Sequence, residues 1–262
     1  MKTTVTASKV SAFAQPQTDE DRLLLRHILD LAKRSERSFR PIYSAFLDDR
    51  QLAFCEAALK SKWAGNFLTL GGYEAAERRV IAFGAENEAE TEPPFSAVVF
   101  NYPESAGLSH RDFLGSLMSL GIKRELLGDI LVGKGRAAVF VSNAALGLVL
   151  EIKKVGNTGV RITTDFSPAD IPEQEFSEIR STVASLRLDA VVSSALKISR
   201  EKACELIRQK GVMHNRVMTF EPADRVSEGD RFSIRGFGKF ELSEAGDRSK
   251  KDRIFILIKI YR

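Results

Sequence analysis

The sequence predicts an α+β chain in three parts: a mainly helical N-terminal domain over residues 1–88, a ferredoxin-like βαββαβ domain over 95–165, and an αα-β domain over 181–262. Three observations predict it. Two acidic, proline-containing stretches, GAENEAETEPP (84–94) and DFSPADIPEQEFSEIRS (165–181), interrupt the apolar periodicity and read as linkers. Between them, segments of period 2 and period 3.6 alternate in the order β-α-β-β-α-β. Beyond the second linker, two short amphipathic helices precede β-branched runs, and the stretch 186–216 organises the rest.

In the first part, residues 1–18 read as a loose arm. A helix is expected from Asp19, where Leu23, Leu24, Ile28 and Leu31 recur near helical spacing and Asp19, Glu20 and Asp21 occupy the positive helix end. Pro41 blocks any continuation through the basic connection 33–40. A second helix begins near Asp48 and Asp49, with Leu52, Phe54, Cys55, Ala58 and Leu59 inward. Residues 66–70 read as a strand, Gly71–Gly72 as a turn, the following residues to 78 as a short helix, and 79–83 as a returning strand.

In the second part, 97–102 reads as a strand and 110–120 as a helix with Phe113, Leu114, Leu117 and Met118 inward. Residues 129–132 and 137–141 are two strands joined at Gly133–Lys134–Gly135. A short helix over 143–150 and a last strand or hairpin from 151–155 and 160–164 complete the pattern.

In the third part, Leu188, Val191, Val192, Ala195 and Leu196 form one apolar stripe. Ser199 is a good N-cap for a second helix with Ala203, Leu206 and Ile207 inward, and Gly211 ends it before the strand 212–215. Residues 231–235 alternate, with Phe232 and Ile234 inward. Gly236 and Gly238 leave backbone room on either side of Phe237, 246–253 reads as a basic hairpin tip, and 254–260 as a central strand.

Composition bounds the function. The 262 residues are 44% hydrophobic with net charge +4. No apolar run approaches the roughly 18 residues that span a bilayer. The first twenty residues lack a continuous apolar core, so neither a secretory leader nor a membrane partner is expected, and the expected location is cytoplasmic. Cys55 and Cys204, far apart on helices, read as reduced thiols. His27, His110 and His214 show no ligand spacing, so no metal and no cofactor are expected. Residues 181–262 hold 17 Lys and Arg against 11 Asp and Glu, whereas the remainder holds 22 against 24. A polyanion should therefore meet the C-terminal third first.

The cations of that third collect where its two helices begin and end: Arg187, Lys197, Arg200, Lys202, Arg208, Lys210 and Arg216. The runs RLDAVV and SREKACELIRQKGVMHN, followed by VSEGDRFSIRGFGKF, resemble the RNA-binding domain first seen in ribosomal protein S-four, over roughly residues 183–242. SIRGFGKF, GGYEAAER (71–78) and SHRDFLGSLMSLGIKRELLGDILV (109–132) narrow the resemblance to the YlmH-like bacterial proteins. That resemblance implies a grip on structured RNA, with the large-subunit ribosomal RNA and transfer RNA as partners, in rescue of stalled nascent chains. A link to cell division is a weaker implication. The RNA-binding set is then Arg187, Ser199, Arg200, Lys202, Arg208, Lys210, His214, Asn215, Arg216, Arg235 and Lys239. A secondary set comprises Arg78, Arg79, His110, Arg111, Lys123 and Arg124, with a purely structural reading open for the first two. The expected state is a monomer.

No catalytic residue is expected. His110–Arg111–Asp112 spells a kinase tripeptide without the glycine-rich loop or Asp-Phe-Gly that the chemistry needs. Gly133–Lys134–Gly135 lacks any phosphate-loop context. Arg187–Leu188–Asp189 spells the catalytic triplet of pseudouridine synthases, but within a short helix and with too little chain after it, so Asp189 is expected as an exposed helix-start charge. The alternatives are an RNA-modifying enzyme of the synthase or methyltransferase type, which needs a pocket with a perturbed carboxylate or a cofactor loop, and a division adaptor, which needs an exposed apolar patch on the first two domains.

Overall fold

The computed structural model describes residue 16 and residues 18–38, 40–63, 65–86, 91–172, 176–215, 217–234, 236–249 and 252–261. The arm expected over 1–18 lies almost wholly outside them. The chain is α+β, and divides into two compact units, Met1–Pro172 and Glu173–Arg262.

The first unit opens with α1 (Asp19–Ser35), capped by Thr18, whose hydroxyl accepts from the Asp21 N–H at 3.1 Å. β1 (Ile42–Tyr43) precedes α2 (Asp49–Lys62), which starts with a reciprocal capping box between Asp48 and Gln51. β2 (Phe67–Leu70) and β3 (Val80–Phe83) follow, and the three strands form an antiparallel sheet in the order β1-β3-β2. This sheet corrects the expectation of a mainly helical domain. The strands read over 66–70 and 79–83 are β2 and β3; β1 has two residues, too short for a periodic signal, and β3 is buried along its whole length.

β4 (Phe95–Asn101), α3 (His110–Ser119), β5 (Leu127–Val132), β6 (Arg136–Ser142), α4 (Asn143–Leu150) and β9 (Arg161–Thr163) then appear in the expected sequence. A two-stranded ribbon, β7 (Lys154–Val155) with β8 (Thr158–Gly159), precedes the last strand. The sheet order is β5-β6-β4-β9 and every pairing is antiparallel. Phe113 and Leu117 of α3 and Ala145 and Val149 of α4 pack on one face with Val98, Phe100, Val139 and Val141.

The other face explains why residues 84–94 do not separate two compact bodies. Phe95 and Phe140 of the middle sheet pack with Phe46, Leu70, Val80 and Ala82 of the first. β4 is thus covered on both sides, and a sheet buried on both faces cannot be cut from its neighbour without exposing a core.

The second expected linker is also consumed by the two units. Phe166 packs edge-on against Phe140 at 5.1 Å, and Asp170 accepts from Arg136 Nη2 at 3.1 Å, so 165–172 belongs to the first unit. Residues 176–183 form β10, paired along its whole length with the last strand. The C-terminal domain therefore begins before residue 181.

In the second unit α5 (Leu188–Leu196) and α6 (Arg200–Lys210) lie on a six-stranded sheet ordered β10-β15-β14-β13-β11-β12. Here β11 is Val212–His214, β12 Val217–Thr219, β13 Arg231–Ile234, β14 Gly238–Arg248 and β15 Ile254–Tyr261. Leu188, Val191, Val192 and Ala195 of α5 and Ala203 and Ile207 of α6 bury against Phe232, Ile234, Phe240, Leu242, Ile256 and Ile258.

Candidate nucleic-acid interface

The C-terminal site is built on the junction of α5 and α6. Lys197 ends α5 in the left-handed region at φ 53°, and Ser199 caps α6, its hydroxyl accepting from the Lys202 N–H at 3.2 Å. The Ser199 hydroxyl keeps its own proton to donate outward. Among the described residues, the exposed side chains of Lys197, Lys202 and Arg208 have no hydrogen bond or ion pair.

Arg187 and Arg200 differ. Asp189, expected as an exposed charge, is 1% exposed. Arg187 donates through Nε at 3.2 Å and Nη2 at 2.9 Å, and Arg200 Nη2 lies 3.2 Å from each oxygen. Burial alone would raise the Asp189 pKa, but hydrogen bonds and charge from the two guanidiniums outweigh it and hold the carboxyl below its usual range. Cys204 Sγ approaches the same carboxylate at 3.5 Å. The two arginines are 40% and 51% exposed, so each clamps Asp189 with one edge and offers another to solvent. The burial of Asp189 corrects its reading as an exposed helix-start charge. In the sequence Arg187–x–Asp189 reads as an ordinary helix start, because Arg200 is eleven positions away.

His214 and Asn215 are likewise engaged. His214 Nε2 lies 2.8 Å from Asp230 Oδ2, Asn215 Nδ2 donates to Asp230 Oδ1 at 2.6 Å, and Asn215 Oδ1 accepts from Arg231 N at 2.9 Å. Asn215 is in the left-handed region at φ 47°, which Asn tolerates better than most residues. Both amide ends thus hold the turn that carries the chain away from β11. Asn215→Ala is expected to destabilise the second unit by about 1–2 kcal/mol, measurable as a lower urea midpoint. Lys239 is exposed, and Lys210 Nζ lies 5.1 Å from the Phe237 ring centroid. Arg216 and Arg235 fall outside the described residues.

In the first unit the secondary set divides. Arg78 is half-buried and donates to the carbonyls of Leu127 (2.8 Å), Phe46 (3.2 Å) and Arg124 (3.1 Å). Desolvation and the neighbouring Arg124 push its pKa down to about 10. Arg79 binds the carbonyls of Ala76 and Glu74, and Arg124 those of Leu127 and Gly128. These three guanidiniums bind backbone carbonyls, which favours the structural reading of Arg78 and Arg79. His110 begins α3, and partial desolvation followed by the Arg124 cation lowers its pKa, leaving it neutral at physiological pH. Arg111 is exposed, as is Lys123, 4.0 Å from Glu125.

GGYEAAER also acquires its physical account here, and it forms turns rather than a helix. A Cβ on Gly72, at φ 87°, would lie 2.2 Å from the Phe140 ring. Tyr73 stacks on that ring, with centroids 5.5 Å apart. Its hydroxyl and the backbone N–H groups of Glu77 and Arg78 converge on Asp129, which is 8% exposed.

Among the described residues no helix is long and apolar enough to cross a membrane. The family model described as "Putative RNA-binding domain in YlmH" matches residues 94–167, the segment with the β5-β6-β4-β9 sheet. A solved structure, the cell division protein ylmH from Streptococcus pneumoniae, is 22% identical with a TM-score of 0.49, covering 60% of this chain and 98% of its own. The ribosome-associated protein quality control protein P2 of Bacillus subtilis (strain 168) is 30% identical over 239 residues, 89% of this chain and 93% of its own. With that identity over nearly the full length, and with its middle sheet matching the family model, the chain belongs to the YlmH family of RNA-binding proteins.

Proposed function

We propose that this protein is a non-catalytic binder of structured RNA that acts on the large ribosomal subunit in the cytoplasm, as a monomer, in rescue of stalled nascent chains. The observation that carries the reading is the α5–α6 junction, where Lys197, Lys202 and Arg208 emerge exposed and, among the described residues, without a hydrogen bond or ion pair. Phosphates reward such cations through counterion release, and the Ser199 hydroxyl and the outer edges of Arg187 and Arg200 add directional donors. The name of the Bacillus subtilis relative supports a place on the ribosome. The split β-α-β order of the middle sheet supports a ferredoxin-like domain, and Arg111 and Lys123 are its cations for a second contact, with ribosomal or transfer RNA. The buried Asp189, clamped by two arginines, supports a positioning role for the Arg-Leu-Asp triplet rather than a catalytic one.

The test is co-sedimentation of the full chain with purified large subunits across a salt series. Lys202→Glu with Arg208→Glu is expected to weaken binding and flatten the log-affinity against log-salt slope by about one to two units. An unchanged slope removes both residues from the phosphate contacts. These positions are preferred to Arg200, whose replacement also frees a buried carboxylate.

A second reading has its own observation. Met118, Leu120, Leu148 and Leu150 are exposed on or just beyond α3 and α4, which favours a protein-docking surface in the middle domain. Binding through it would persist at high salt and be lost on Leu148→Glu.

A further inference from the structure

We propose that Phe237, with the Lys210 ammonium over its ring, is a stacking platform for an unpaired base of the bound RNA, a subsite that rests on the RNA-binding reading above. Phe237 occupies the turn between β13 and β14, where its N–H donates to the Ile234 carbonyl at 2.9 Å. Gly236 and Gly238 flank it at φ 87° and 103°. A Cβ at Gly236 would meet nothing within 4 Å, and one at Gly238 only a carbonyl at 3.9 Å. The glycines are therefore set by backbone conformation and not by lack of room, and the turn they form presents a phenyl ring that is 44% exposed.

Phe220 follows β12 directly. The register Val212↔Thr219 sets residue 220 across from Gly211. A Cβ on Gly211 would lie 2.9 Å from the Phe220 ring and 2.7 Å from Met218 Sδ, so the ring lies directly on the glycine backbone while remaining 55% exposed. Lys210, the residue before that glycine, holds its ammonium over Phe237 at 5.1 Å. The end of α6 thus sets a cation over Phe237 and a glycine under Phe220.

Exposed phenylalanines forgo hydrophobic stabilisation and, unlike Tyr or Trp, offer water no polar handle. Held by two left-handed glycines beside a lysine, Phe237 suits a flat, uncharged π-surface that carries an anion a few ångströms away. An extruded nucleobase and its phosphate have that combination. An apolar peptide has no use for the ammonium, and paired RNA presents no free base face. The stack carries no base-edge hydrogen bonds from Phe, so it tolerates any base.

The experiment uses the full chain and purified large ribosomal subunits, across the same salt series. Phe237→Leu keeps an apolar side chain and removes the π-face, and is expected to weaken binding about tenfold at every salt concentration with the slope unchanged. Phe237→Trp is expected to restore binding to the parent level or better. Leu within twofold of the parent, or Trp no better than Leu, overturns the platform while leaving the cationic grip in place. A changed slope overturns it too, because the loss is then electrostatic. A parent protein that does not sediment with subunits defeats the RNA-binding reading itself, and the platform with it.

Discussion

Asp189→Ala is expected to lower the stability of the C-terminal unit by about 2–3 kcal/mol. For a unit of this size that corresponds to a melting shift of about 10 °C or more. Asp189 is fully buried and anchors Arg187 from its own helix start and Arg200 from the next helix. Without it the two guanidiniums sit against each other with no counter-charge. Their half-exposed edges let water recover part of the cost, which keeps the figure below that of a wholly buried pair. Hydrogen exchange should localise the change, with amides of 188–210 exchanging faster and those of the middle sheet unaffected. The pH dependence has a definite sign. The folded pKa of Asp189 is depressed, so its contribution is present above the ordinary carboxylate range and is lost as pH falls through the folded value. The stability gap between the parent chain and Asp189→Asn should hold constant near neutrality and close as pH is taken below about 4. A gap that persists unchanged in acid would mean the carboxylate charge is not what the clamp uses. RNA affinity should fall with the same variant, because Arg187 and Arg200 lose their fixed orientation.

Asp129→Ala should cost the first unit about 3 kcal/mol. It removes the acceptor of two backbone N–H groups and the Tyr73 hydroxyl, at 2.7, 3.0 and 2.8 Å, and each buried donor left unpaired carries a desolvation penalty of about 1–3 kcal/mol. Tyr73→Phe removes only one of the three bonds and leaves the ring stacked on Phe140, so about 1 kcal/mol is expected from it. Denaturant midpoints of the two variants give the comparison. Equal losses would show that the Tyr73 hydroxyl bond carries the whole contribution of the carboxylate and that the two backbone N–H bonds add nothing. The Tyr73 hydroxyl is also pushed above its ordinary pKa by burial first and then by the Asp129 charge. It therefore stays protonated and remains a donor well beyond neutral pH.

Much of the fold could be read from local pattern. The apolar stripe of α5, the Ser199 cap, the Gly211 stop and the alternation of Phe232 and Ile234 depend on neighbours within a few residues, and they stand where periodicity places them. The same holds for the β-α-β-β-α-β order of the middle sheet and for β15 as an interior strand. What escaped was set by distant partners. β2 and β3 stand where the pattern places them, but the two-residue β1 is too short to signal, and nothing local shows that Phe46, Leu70 and Val80 pack on Phe95 and Phe140. Residues 176–181 look like an acidic linker because half of β10 faces water, and β15 supplies the backbone ladder that makes it a strand.

The candidate site divides along the same line. By itself the sequence determined that two short helices with basic ends stand in the most cationic third of the chain, since charge and helix caps are properties of residue type and close spacing. Only the tertiary structure decided which cations are free. Lys202 and Arg208 remain outside, Arg187 and Arg200 share a buried carboxylate, Asn215 braces a turn on Asp230, and Arg78 and Arg124 satisfy carbonyls across the first unit. A charged side chain reads as solvated until the fold brings its counter-group within about 3 Å, and those counter-groups lie up to 49 positions away along the chain.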